Sequence, residues 1–198
     1  IAKAEGDLAA ARSAYQAAKD ISERLAENDP ANSQWQRDLS VNWSKIGDIA
    51  KAEGDLAAAR SAYQAAKDIS EKLAESDPVN SEWQRDLFVS WSKVGEAFLA
   101  ESNFREARNA FLKARSYCDA ILKIDPNRPQ WRVDMAENDG CLGDVAAAEG
   151  HAAEAHGYWG RALAALETLE REGRLDAYGR KLLQGIRGKL SAADFAGT

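Results

Sequence analysis

The sequence predicts an all-α solenoid, built from antiparallel helix hairpins stacked side by side. Three observations carry that reading. The chain repeats itself every 48 residues: Ile1 to Asp48 aligns with Ile49 to Glu96 without a gap and differs at eight positions. Ala97 to Asp144 keeps the register while diverging, and Val145 onward keeps it through Gly150, Ala155, Trp159 and Ala162. Self-similarity at such a period marks stacked units that bury a shared core. Apolar residues inside each period recur at helical spacing, as Trp35, Leu39 and Trp43 do at steps of four. Ala, Leu, Glu, Lys and Arg dominate, only four prolines occur in 198 residues, and no stretch reads as strand-rich.

The elements follow in order. Ile1 to Glu5 reads as the stub of a helix. Helices are expected near 7–28, 33–53, 55–76, 81–101, 103–124, 129–149 and 151–172. Asp-Pro at 29–30, 77–78 and 125–126 stops the second helix of each hairpin. Ser33 with Gln36, and Ser81 with Gln84, fit capping boxes that satisfy first-turn amides. Gly54 suits the left-handed residue that ends a helix, and Asp55 suits the cap of the next. Asn103 with Glu106 repeats that logic where Ser102 replaces the glycine. A last segment, 175–190, places Leu175, Tyr178, Leu182, Ile186 and Leu190 at helical spacing but lacks the Trp and Asp-Pro marks. It reads as the capping helix that shields the end of the stack, with residues 191–198 as a frayed tail. The expected organisation is a repeat array over 1–174, then the cap and the tail.

The stretch Trp43 to Ala66 carries a further signature. Trp43, Ile46, Gly47 and Ala50 precede a Gly54 corner, and Ala59, Tyr63 and Ala66 follow it. This pattern resembles the tetratricopeptide repeat, over about residues 1–170. The resemblance implies a right-handed superhelix and a peptide-binding concave groove lined by the first helix of each hairpin. The common unit has 34 residues, and the 14 extra here lengthen each helix by about two turns, roughly 10 Å. Similar long units with a Trp-Gln-Arg-Asp-Leu stretch, here Trp35 to Leu39 and Trp83 to Leu87, occur in bacterial multidomain proteins.

Composition excludes several function classes. A net charge of −6 argues against nucleic acid, whose phosphates need a basic face. No apolar run approaches the ~20 residues of a membrane span. Cys118 and Cys141 lack metal-type spacing and read as packing thiols of a reducing, cytoplasmic compartment. His151 and His156, five apart, fall on different helix faces. No nucleophile–base constellation or phosphate loop is evident. The chain therefore reads as non-enzymatic, with no cofactor and no metal. Ile1 falls inside a repeat and no initiator Met precedes it, so the segment reads as part of a longer chain.

The family groove, transferred by position, comprises Lys3; Ser44, Asp48 and Lys51; Ser92, Glu96 and Leu99; and Gly140, Asp144 and Ala147. Asp48, Glu96 and Asp144 would form an acidic ladder. The Lys and Asn of the family's carboxylate clamp are absent, so a basic or mixed peptide suits the groove better than an acidic chaperone tail. The reading is a protein-interaction scaffold. A structural spacer capable of self-association, and an intramolecular regulatory domain of a larger bacterial signalling protein, are the alternatives. Phe88 and Leu99, replacing Ser40 and Lys51, are expected either to pack against the core or to form an exposed apolar anchor. Asp139, in the place of Trp43 and Trp91, is expected to face water or loosen the stack, since an unpaired buried carboxylate is costly. Gly47, Gly95 and Gly143 are expected where paired helices approach closely.

Overall fold

The structure, a computed structural model, describes residues 8–124 and 126–196. The elements are α1 (Leu8–Asn28), α2 (Ser33–Ala52), α3 (Leu56–Ser76), α4 (Ser81–Ala100), α5 (Phe104–Ile124), α6 (Pro129–Ala148), α7 (Ala152–Arg171) and α8 (Ala177–Ala196). The fold is all-α, a helical-repeat solenoid of antiparallel hairpins. The stub expected at 1–5, and Lys3 with it, lies outside the described residues.

Contacts divide the helices into two compact units, residues 1–103 with α1–α4 and residues 104–198 with α5–α8. In each unit every helix packs on its neighbours in the chain. The first helices of the hairpins, α2, α4 and α6, start at 33, 81 and 129, and α8 starts at 177, one further step of 48. So α8 stands in a first-helix place despite lacking the Trp. It also runs past Leu190 to Ala196, where a frayed tail was expected. Ala192, Ala193 and Ala196 are strong helix formers, and no Gly or Pro intervenes after Gly188 until Gly197.

The caps correct one expectation. Asn32, not Ser33, caps α2, its side chain accepting from the Trp35 amide at 3.2 Å. Asn80 likewise caps α4 and accepts from Glu82 and Trp83. Ser33 and Ser81 are already helical, so Gln36 and Gln84 do not close a box. They reach back instead to the Ala26 and Ala74 carbonyls near the ends of α1 and α3. Asp55 caps α3 as expected, through the Ala58 amide at 2.9 Å. Gly54 has φ +83°, and Ser102 holds the same left-handed turn at φ 58°, which costs a residue with a Cβ more than it costs glycine.

Ala59, Tyr63 and Ala66 lie fully buried in the first unit. Gly47 lets Tyr63 in: a Cβ there would stand 2.4 Å from the ring. Gly143 does the same for Trp159 in the second unit, at 2.3 Å from Nε1. That unit's core gathers Val133, Ala136, Ala155, Trp159, Leu166 and Leu183. A polar seam runs through the first core. Ser40 donates to the Ala66 carbonyl at 3.0 Å and pairs with Ser70, which pairs with Ser90 at 3.0 Å. Cys118, one period after Ser70, is buried and its thiol donates to the Trp131 carbonyl. Phe88, at the Ser40 position, is buried. It is not an exposed anchor, because that position faces the core in both copies of the repeat. Leu99 is half-buried.

Candidate partner-binding groove

The first-helix residues expected to line a groove are placed on α2 and α4 in the first unit and on α6 in the second. Ser44 and Asp48 border a recess of about 140 Å³ together with Lys45 on α2 and Asp86, Val89 and Lys93 on α4. Lys51 and Glu96 close on one another at 2.7 Å. Ser92 donates to the carbonyl of Phe88 in its own helix. In the second unit Gly140 is buried and Ala147 exposed, while Asp144 accepts from Lys189 of α8 at 2.6 and 2.7 Å.

The acidic ladder is thereby corrected. Its three carboxylates are present, but none stands free. Lys93 lies 3.3 Å from Asp48 and 3.5 Å from Glu96. Tyr63 donates its hydroxyl to Asp48 at 3.0 Å, and the Trp159 indole donates to Asp144 at 3.1 Å. The pattern repeats across units: Lys93 lies 45 residues beyond Asp48, and Lys189 lies 45 beyond Asp144. Each of these acids is clasped by a lysine of the next first helix. The groove face of the first unit is consequently a mosaic of both signs.

Burial pushes the Asp48 carboxyl up, but the Lys93 cation and the Tyr63 hydroxyl more than offset this and hold it below its ordinary 3.8. Burial likewise pulls Lys93 down, and Glu96 and Asp48 override it to raise the ammonium above its ordinary value. A carboxyl depressed in the folded state contributes stability that is present above its unfolded pKa and disappears as pH falls through the folded one. The first unit should therefore lose stability as pH falls through the ordinary 3.8 toward the lower folded value, and Asp48→Asn should flatten that acid limb. Urea titrations of both proteins across this range check it. Equal slopes would show that Asp48 does not carry the effect.

Two further charge patterns were missed in the sequence. Arg12 pairs with Glu53, Arg60 with Glu101 and Arg108 with Glu149, each 41 residues apart, with Nε–carboxylate distances of 3.2, 3.0 and 3.0 Å. Opposite charges recurring at that fixed separation were the available signal. The second pattern concerns Asp139. Lys19 sits over the Trp43 ring at 4.8 Å, and one period later Lys67 sits over Trp91 at 4.9 Å. One period further the same places hold Arg115 and Asp139, which form an ion pair. Arg161 adds its Nε at 3.5 Å from the same carboxylate. Asp139 is 3% exposed and paired with two arginines, so it does not face water. The cation kept its place while its partner changed from an aromatic face to a carboxylate.

Among the described residues no three metal-ligating side chains converge, and no helix is long and apolar enough to cross a membrane.

Comparison with solved structures bears on the fold. The crystal structure of BtubC from P. vanneervenii superposes with a TM-score of 0.70 at 18% identity, over 96% of this chain and 67% of that one. The chain is similar in fold to BtubC. At that identity the likeness shows a shared all-α helical-repeat fold. MamA matches with a TM-score of 0.43 at 16% identity, over 86% of this chain and 88% of that one. A de novo designed helical repeat protein matches at 0.38 and 12%, over 96% of each chain. No family model matches the sequence, and no curated protein does.

Proposed function

We propose that this chain is a non-catalytic protein-interaction module that takes a peptide or extended protein segment on its first-helix faces. The observation that carries the reading is the recess between α2 and α4, where Ser44 and Val89 lie among Lys45, Asp48, Asp86 and Lys93. A recess with an apolar floor that includes Val41 and Val89, edged by both signs of charge, suits a segment that is itself of mixed or basic charge. Helices that hold the recess rigid spare the receptor most of the ordering cost of binding.

Charge reversal of Asp48 or Glu96 is a poor test, because both acids also hold the helices together. Ser44 is not committed in that way: it is half-buried at the recess. A peptide array spanning acidic, basic and mixed sequences, probed with wild type and with Ser44→Trp, tests the reading. Mixed or basic peptides should bind wild type and lose at least tenfold in affinity to the variant, with helicity by circular dichroism unchanged. Retention of the same peptides by both proteins would exclude the recess as the site.

A further inference from the structure

A second surface lies in the first unit, away from the acids discussed above. Between α1 and α2 runs a groove of about 270 Å³ lined by Ile21, Ser22, Leu25, Trp35, Asp38 and Val41. Ile21 is 52% exposed and Leu25 38%. The internal repeat shows what such a groove is shaped for. One period later the same residue positions form the α3–α4 groove, and there Leu73 is only 6% exposed. The difference is α2, which lies across it. From α2, Arg37 donates to Asp86 at 2.5 and 3.3 Å, Ser40 meets Ser70 at 2.9 Å, and Gly47 admits the Tyr63 ring.

Each of those acceptors has a counterpart around the α1–α2 groove. Asp38 stands at the Asp86 position, exposed, and accepts from Gln34 of its own helix. Its neighbour Arg37 acts on it only through space, because the Arg37 guanidinium is hydrogen-bonded to Asp86. Ser22 stands at the Ser70 position. It donates to the Ala18 carbonyl and accepts from Asn42, which leaves one lone pair for a further donor. Tyr15 stands at the Tyr63 position and is half-buried where Tyr63 is fully buried.

We infer that the α1–α2 groove is a docking site for one more first-type helix of this repeat. The occupant is an amphipathic helix with an arginine to meet Asp38, a serine three residues on to meet Ser22, and a glycine seven beyond that to lie on Tyr15. Those spacings are the ones Arg37, Ser40 and Gly47 have on α2, and they fall along one helix face. Continuity with the α2 interface inside the same chain, together with an exposed Asp38 carboxylate in the place of the arginine-bound Asp86, selects this occupant over a generic apolar one.

The probe is a fluorescent peptide with the sequence of residues 33–52, titrated into the whole chain and followed by anisotropy. Saturable binding is expected. Asp38→Arg should weaken it at least tenfold, and a peptide carrying Arg37→Glu should recover most of that loss on the Asp38→Arg protein. Asp38 is exposed, so its replacement leaves the fold intact, which circular dichroism checks. No saturable binding would overturn the inference. So would equal binding of a scrambled peptide, or binding that Asp38→Arg leaves unchanged. A dimer that Asp38→Arg dissolves, with no peptide binding, would give the groove to a second copy of the chain and overturn it too.

Discussion

Arg115→Ala should cost about 3–5 kcal/mol of unfolding free energy, the range for removing one partner of a buried ion pair. The charge left behind belongs to Asp139, which is almost wholly enclosed in α6. Its remaining cation, Arg161, is half exposed and stands 3.5 Å away, too far for a good charged hydrogen bond. The reverse deletion is gentler. With Asp139→Ala, the Arg115 side chain, already about a quarter exposed, can turn its guanidinium to water. The loss is then nearer the ~1–3 kcal/mol of one charged hydrogen bond. Arg115→Lys should be milder still, because lysine fills the same place at Lys19 and Lys67. Urea denaturation followed by circular dichroism orders the three. A loss below ~1 kcal/mol for Arg115→Ala would class the pair with exposed ion pairs and remove the argument.

That pair also shows where reading the sequence stopped short. The 48-residue period and the turn residues sufficed for the first seven helices to within a residue or so at either end, because Gly54, Asp55 and the Asp-Pro steps act locally. They act through φ, caps and missing amides, all written in a few adjacent residues. Asp139 was misread because its environment is not local. Its partner Arg115 is 24 residues away, and only the paired change at both positions, Lys with Trp becoming Arg with Asp, discloses that the site stays filled. The acids at 48, 96 and 144 were found, but each also pairs with a lysine of another helix, 45 residues distant: Lys93, Lys51 and Lys189. Helix-face arithmetic lists the residues of one helix and says nothing of what the next one brings. In the sequence Phe88 stays open between packing and exposure for the same reason: Ser40 looks like a surface residue until its hydroxyl is seen bonded inside the core.

Trp159→Ala should be comparably damaging in the second unit, at about 3–5 kcal/mol, the range for truncating a large buried aromatic. The indole is 7% exposed and packs in a cluster with Val133, Leu166 and Leu183. Its Nε1 donates to the Gly140 carbonyl at 3.2 Å and to Asp144 at 3.1 Å. Removing it leaves a cavity and strips Asp144 of one donor, although Lys189 remains. Gly143→Ala probes the same contact from the other helix. Its new Cβ would lie 2.3–2.9 Å from three indole atoms. An enclosed ring cannot retreat by that much, so overpacking should cost ~1–3 kcal/mol. The decisive measurement is the double variant. Once Trp159 is Ala, the Cβ at 143 has nothing to strike and partly fills the void, so the two losses should combine to less than their sum by at least ~0.5 kcal/mol. Strict additivity would mean that the glycine is required by its own backbone and not by the tryptophan. The spacing of Gly143 and Trp159, repeated by Gly47 and Tyr63, would then describe the pairing of these helices without explaining it.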